Sequence, residues 1–412
     1  MTTYNSNVKS WTVDPQFNKS KLRSIFRLDR GYEALYMANM RLLNIGCTVN
    51  SLMEDNVSRY NYVLGNGAVI RSIYLMDGKK QLDAIVNFQP YFSFKNQLKG
   101  NQTQMDSEKA LKHHGLGYVY DRPTAEETEI LPAKIKEWYS NAPNVPQPDE
   151  IGTPMGWLDL KSIFPILQNL EFVHTGIFKD LQVVVEYTTT GVLTTTSPQS
   201  TLKDTTLPLL VADEILNVEL ANKVKADFKV VNWSAIESEQ VVLGQGVAEK
   251  NFQLSGANNK TLGRLLVVKT PTTASAVYSK AGSKAQIAEE LQININGSNL
   301  LPNGGFDSTP NMALGLITDT FGNMVCHNGS SDSGFVACAA RVEDYVARVG
   351  HLSYFGLLVN QPIVKNIQMQ YKRLIRAGGD AQYDQPLNIN VFYEVSKSIV
   401  KTKDGYNIIY VN

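Results

Sequence analysis

The sequence predicts an all-β protein with minor helices, built as two tandem β-sandwiches, and three observations carry that prediction. Short apolar runs rich in Val, Ile, Leu, Tyr and Thr recur between clusters of Gly, Asn, Pro and Asp, which is how strands and turns alternate. The 412 residues leave room for two domains of about 200 residues each, because one hydrophobic core seldom grows beyond about 250–300 residues. Only 19% of the chain is charged against 43% hydrophobic, so Asn, Gln, Ser and Thr fill much of the rest, as in strands joined by many polar loops.

Met1–Ser20 is polar throughout and reads as an N-terminal arm. Ser24–Leu28 is a strand; Ala34–Leu43 is a strand or a short helix, since Leu, Met and Ala dominate it. Asn61–Leu64 leads through the turn Gly65-Asn66-Gly67 into the strand Ala68–Met76. Asp77-Gly78 is hairpin chemistry, and strand resumes over Lys79–Phe94. From 95 to 157 the chain makes a long excursion from the sheet. It holds polar Lys95–Ser107, a short helix over Ser107–His114, the capping pattern Thr124-x-x-Glu127 before Ile130–Tyr139, and proline-rich Asn141–Pro148. Trp157–Leu170 is amphipathic, Leu181–Thr190 is a strong strand, and the Thr- and Ser-rich Gly191–Thr206 is the expected join between halves.

The second half opens with Leu207–Val211 and Ile215–Leu220. Val224, Ala226, Phe228 and Val230 alternate with charged residues, which predicts a half-buried strand over Val224–Trp233. Gln240–Gly244, Leu262–Lys269, Ala288–Ile295 and Leu314–Thr318 follow as short segments. The Gly- and Asn-rich Asn299–Pro310 and the loop Asn328–Ser333 define a second excursion, 299–334. Phe335–Val349, Leu352–Val359 and Ile363–Tyr371 come next, then Leu387–Val395 and Asn407–Val411 across the hairpin turn Lys403-Asp404-Gly405. Both halves therefore read as sandwiches or jelly rolls, whose Greek-key connections need long polar loops. The expected division is 1–20 for the arm, 21–200 for the first sandwich and 201–412 for the second.

Lys plus Arg equals Asp plus Glu at 39 each, so the chain offers no global positive field for nucleic acid and little long-range self-repulsion. Met1–Ser20 has no apolar core of signal-peptide length, and no apolar run approaches the roughly 18–20 residues that span a bilayer. These features predict synthesis in the cytosol without membrane insertion. Cys47, Cys326 and Cys338 have no metal-binding spacing and read as buried thiols. Sequons such as Asn56-Val57-Ser58 and Asn259-Lys260-Thr261 are what an Asn- and Thr-rich chain produces by chance.

No motif in the sequence marks a catalytic, cofactor-binding or metal-binding residue. Gly244-Gln245-Gly246 and Gly115-Leu116-Gly117 lack the Gly-Lys-Ser/Thr tail of a phosphate loop and read as turns. His113-His114 are adjacent rather than spaced on one face, and His174, His327 and His351 lie far apart in sequence. Gly329-Ser330-Ser331-Asp332-Ser333-Gly334 fails the spacing of a serine-hydrolase elbow, and nothing local couples Cys338 to His351. Glu126, Glu127 and Glu129 suit the first turn of a helix, while Asp307 and Asp319 lack the calcium-loop pattern.

Three stretches carry a family resemblance. Leu64-Gly65-Asn66-Gly67 running into Ala68–Leu75 looks like an early strand pair, and Leu158-Asp159-Leu160-Lys161-Ser162-Ile163-Phe164-Pro165, followed at Leu181 by Gln-Val-Val-Val-Glu-Tyr, like the closing part of a first jelly roll. Gln385–Tyr393 with Tyr406–Val411 is similar to a closing hairpin. Together they resemble the double jelly-roll major capsid proteins of the lineage of adenovirus hexons, membrane-containing phage coats and the capsids of polinton-like and large DNA viruses. The resemblance implies two tandem eight-stranded jelly rolls and a non-enzymatic capsid subunit. It also implies a homotrimer with a pseudohexagonal outline in an icosahedral virion, made in the host cytoplasm. Implied partners are neighbouring capsomers, penton and minor capsid proteins, and an internal membrane layer reached by the arm; no specific nucleic acid binding and no cofactor is implied. Two other function classes stay open on the residues: a two-domain β-sandwich adhesin, fibre or lectin-like protein, and an enzyme on a β scaffold with two carboxylates across a groove.

Overall fold

The structure, a computed structural model, describes residues 8–28, 33–43, 45, 59–60, 69–97, 158–188, 192–193, 208–272, 289–300, 306–307, 316, 319–321, 325–327, 335–337, 354–373, 386–403 and 405–411. The first half holds strands β1 (Val8–Val13), β2 (Gln16–Asn18), β3 (Arg23–Arg27), β4 (Ala34–Leu43), β5 (Arg59–Tyr60), β6 (Ile70–Asp77) and β7 (Lys80–Ile85), then helix α1 (Phe88–Gln97). It continues with β8 (Leu158–Asp159), α2 (Leu160–Ile163), β9 (Phe172–His174), β10 (Leu181–Tyr187), β11 (Val192–Leu193) and β12 (Leu209–Ile215). After α3 (Val218–Asp227) come β13 (Val230–Leu243), β14 (Glu249–Gln253), β15 (Thr261–Pro271), β16 (Glu289–Ile295), β17 (Ser298–Asn299) and β18 (Phe306–Asp307). The last six are β19 (Val325–His327), β20 (Phe335–Ala337), β21 (Tyr354–Pro362), β22 (Ile367–Arg373), β23 (Leu387–Thr402) and β24 (Gly405–Tyr410).

The strands pair into two facing sheets per half. In the first half one sheet runs β1-β12-β4-β8, with β9 also on β4, and the other runs β2-β3-β10-β6-β7. Because β12 covers one edge of β4, β8 and β9 share its other edge as a single interrupted strand. In the second half the sheets run β13-β23-β15-β21, with β24 also on β23, and β14-β22-β16-β17, with β18 beside β17 on the same edge of β16. With interrupted strands merged, and with β2, β24 and the separate two-stranded pairs β5-β11 and β19-β20 counted as additions, the strand positions of each half can be numbered one to eight along the chain. Both halves then give the same two sheets, 1-8-3-6 and 2-7-4-5. That order is the double Greek key of a jelly roll. The expected fold of two tandem eight-stranded jelly rolls is therefore what the pairings show.

Burial explains the strand choice. On β10, Val183 and Val185 point into the first core, at an expected gain of about 1.5–3 kcal/mol per fully buried aliphatic side chain. The ambiguous Ala34–Leu43 is a strand with a register irregularity: Val211 pairs Arg41, but Asp213 pairs Tyr36. The three extra residues on β4 move the buried set from Leu35 and Met37 to Met40 and Leu42, which blurs its period of two.

Several expectations are corrected. Val8–Val13, read as part of a free arm, pairs residue for residue with β12, and Gln16–Asn18 pairs with β3. Leu209–Val211, placed in the second half, belongs to the first sandwich through β1 and β4, so the strands of that sandwich continue past Gly191–Thr206. Lys79–Phe94 is a strand only to Ile85; Asn87 takes φ +55°, and a helix starts at Phe88. Pro90 sits in its first turn, where the missing N–H costs nothing. Val224 and Ala226 lie on α3, and the strand begins at Val230; Asn217 caps that helix by accepting the Leu220 N–H at 3.1 Å. Of the 95–157 excursion, Lys95–Gln97 close α1 and the stretch 98–157 lies outside the described residues, as do Gly65-Asn66-Gly67 and the loop Asn328–Ser333.

Candidate functional site

The most elaborate polar chemistry among the described residues lies on the seam where the sandwiches meet, and buried side chains of both halves form one continuous apolar cluster across it. Its first contact is the β6–β7 hairpin. Gly78 takes φ +59° at the first central position of a two-residue turn, which a side chain would strain. The turn puts Asp77 and Lys80 side by side against Tyr406 of β24. The Tyr406 hydroxyl donates to Asp77 Oδ2 at 2.7 Å, and Lys80 Nζ donates to the Tyr406 carbonyl at 2.9 Å while lying 4.6 Å from its ring centroid. Asp77 Oδ1 accepts the Asp180 N–H at 2.6 Å, so one carboxylate ties hairpin, β10 approach and C-terminal hairpin together. Burial, then the contact with Asp77, pushes the Tyr406 hydroxyl well above its usual range. Phe178 packs on Tyr406 at 4.7 Å and edge-on to Phe228 at 5.5 Å.

The second contact is α1, laid against the second sandwich. Phe88 and Phe92 stack at 4.8 Å inside the first core, while Tyr91 meets Phe392 of β23 at 5.3 Å. Lys95 Nζ donates to the Ser162 carbonyl, and burial lowers its pKa to about 8, against the pull of Asp83 and Asp159. Asp83 on β7 is 1% exposed. Its two oxygens accept the N–H groups of Ala84 and Ile166, each at 3.0 Å. Burial raises its pKa to about 7, although those hydrogen bonds and the charges of Lys397 and Lys95 oppose the rise.

Lys397 belongs to a further network on the second sandwich. Glu237 accepts Lys260 Nζ at 2.6 Å, Lys397 Nζ at 2.9 Å and the Tyr410 hydroxyl at 3.0 Å. Burial works to raise the Glu237 pKa, but the two lysines outweigh it and hold the carboxyl below its ordinary value. Smaller bonds complete the seam: Asn169 Nδ2 to the Asn232 carbonyl at 2.7 Å, and Ser238 Oγ to the Val86 carbonyl at 3.2 Å. This arrangement holds two sandwiches in fixed register; it presents no nucleophile paired with a base.

The other residues weighed from sequence are dispersed. Gly244-Gln245-Gly246 is the turn after β13, with Gly246 at φ +73°. His174 ends β9 and accepts the Gly176 N–H on Nδ1 at 2.9 Å. Cys326 and His327 sit on β19, Asp307 is on β18, and Asp319 is exposed. Cys47, His113, His114, Gly115-Leu116-Gly117, Glu126, Glu127, Glu129, Gly329–Gly334, Cys338 and His351 lie outside the described residues. Among the described residues no group of three or more His, Cys, Asp or Glu could hold a metal ion, and no helix is long and apolar enough to cross a membrane. The seam residues escaped the sequence reading because Asp83 sits in an ordinary strand run; the hairpin signal Asp77-Gly78 was the one local pointer to them.

Two like-ordered jelly rolls in tandem on one chain, joined by a shared core, define a double jelly-roll protein. Among solved structures the chain is similar in fold, over nearly its whole length, to viral proteins that include two major capsid proteins. The PBCV-1 VP54 structure fitted into a reconstruction of the virophage Sputnik superposes with a TM-score of 0.52 at 8% identity, covering 98% of this chain and 97% of that one. The mavirus major capsid protein gives 0.51 at 11% identity over 98% and 90%, and the Faustovirus major capsid protein 0.51 at 8% over 96% and 90%. No protein-family model matches the sequence, and no curated protein sequence does. The likeness expected from three sequence stretches thus holds for the fold across the chain.

Proposed function

We propose that this chain is a structural capsid subunit, trimerising into pseudohexagonal capsomers that build an icosahedral shell. The observation that carries the reading is the repeated 1-8-3-6 and 2-7-4-5 strand order in one chain, whose fold is shared with the mavirus and Faustovirus major capsid proteins. Two equivalent sandwiches per subunit and three subunits give six similar units around one axis. A near-zero net charge favours packing of copies against each other. In this reading the domain division falls at α3, with β1 to β12 as the first unit and β13 onward as the second. Neighbouring capsomers, penton and minor capsid proteins are the proposed partners, the virion the proposed location and the host cytoplasm the place of synthesis. The N-terminal reach toward an inner layer excludes Val8–Asn18, which the sheets occupy apart from a short turn.

Size-exclusion chromatography with light scattering, followed by electron microscopy of the same sample, tests the reading. Trimers with a hexagonal outline are expected. A monodisperse monomer at micromolar concentration would overturn it.

A further inference from the structure

The outward face of the β14-β22-β16 sheet carries an unusual run of side chains. Its register aligns Asn251, Gln370 and Gln292 in one row across three strands and Gln253, Gln368 and Asn294 in the next. Strands lie about 4.8 Å apart, so six primary amides form a grid that a small ligand covers at once. They line a depression of about 420 Å³ together with Phe252 and Met369, and no ionisable side chain is part of that lining. The volume falls in the range of about 300–1,000 Å³ typical of small-molecule sites. Glu249 stands at the edge: its Oε1 accepts an N–H from Gln370 and another from Asn251 at 3.3 Å. Two of the six amides are thereby held by their N–H ends, which leaves their carbonyl oxygens to accept from a ligand.

We infer that this depression is a binding site for a neutral saccharide. The four amides outside the Glu249 contact each offer two donors and an acceptor oxygen, and Gln370 and Asn251 add their carbonyl oxygens, so vicinal hydroxyls are met by paired bonds. A charged ligand would find no countercharge in the lining, and an apolar one would leave several amides without partners, at a cost for each. The identical face of a second copy would match in hydrogen bonding, but two concave faces cannot fill each other. A polyhydroxylated, uncharged ring satisfies size, shape and polarity together. The site lies on the second sandwich and does not depend on the capsid reading.

The test titrates the full chain with neutral chito-, cello- and manno-oligosaccharides, and with sialylated and sulfated oligosaccharides as charged arms, by calorimetry. Binding of at least one neutral series is expected, weakened about tenfold or more in a Gln368→Leu, Gln370→Leu double variant, since each lost hydrogen bond contributes about 0.5–1.5 kcal/mol. Side-chain amide proton shifts in the unaltered protein give a readout independent of the variant's folding, and those of the six residues should move on addition of the sugar. The inference fails if no neutral sugar binds at millimolar concentration, if only charged sugars bind, or if binding leaves these amide signals in place. Dimerisation abolished by the variant, without sugar binding, would equally overturn it.

Discussion

Replacing Asp83 by Asn should flatten the dependence of stability on pH between about pH 4 and pH 7, and the size of the effect follows from the seam. Asp83 has its ordinary pKa of 3.8 when unfolded and about 7 in the folded chain, raised first by burial. A carboxyl raised on folding favours the protonated form, so its contribution to stability is complete below about pH 4 and is lost as pH climbs through about 7. Three pH units at about 1.4 kcal/mol each give a loss of about 4 kcal/mol, an upper bound because relaxation and water entry soften burial. The groups facing it are the N–H donors of Ala84 and Ile166 and the cations Lys95 on α1 and Lys397 on β23. Asn cannot ionise, and with one acceptor oxygen in place of two it leaves one backbone N–H without its partner, so the variant lies about 1 kcal/mol below the unaltered chain near pH 4 and above it by about pH 7. Lys95 titrates near pH 8 in the unaltered chain, so comparison at about pH 5 and about pH 7 keeps it apart. Urea denaturation of both proteins at those two values reads the difference of slopes. Parallel pH curves would refute the buried-carboxyl account of the seam.

Two further substitutions probe packing and the hairpin clamp. Tyr406→Phe removes the hydroxyl that Asp77 accepts across the seam and should cost about 1–2 kcal/mol in denaturant unfolding; a change below about 0.3 kcal/mol would mean that water replaces the bond without loss. Gly256→Ala places a Cβ 2.5 Å from the Tyr393 hydroxyl and 3.0 Å from Glu239 Oε1, and should destabilise by about 1–3 kcal/mol with a matching fall in melting temperature.

Strands with strong local chemistry were readable from the residues alone. The Val183–Val185 run and the turns at Asp77-Gly78 and Lys403-Asp404-Gly405 announce themselves because burial and turn geometry act within a few residues. The two missed helices show how alternation misleads. Phe88, Tyr91 and Phe92 are strand formers that α1 divides between two cores, and Val224, Ala226 and Phe228 keep a period of two by coincidence. Asn217 ahead of Glu219, with Lys225 in the last turn, was the signal that would have located α3. The join was misplaced because nothing in Leu209–Ile215 says which sheet it enters; that choice is made by β1 and β4, far upstream. For the same reason Asp83 was invisible: its acceptor role depends on Ile166, 83 positions away.

The pairing of first strand with last in each sandwich also dictates an order of events during synthesis. Ser10 and Asp213 are bonded at 2.6 Å across 203 positions of chain, and Val230 lies opposite Val400 in the second half. Such closures are entropically slow and keep edges open until the final strand arrives. On the ribosome the first sandwich cannot seal until Leu209–Ile215 has emerged, and until then β4 offers an unpaired edge to any neighbouring nascent chain. Translation pauses placed after β12 would let the first half close before the second competes for its strands, whereas pauses before it would expose the chain at its most adhesive stage.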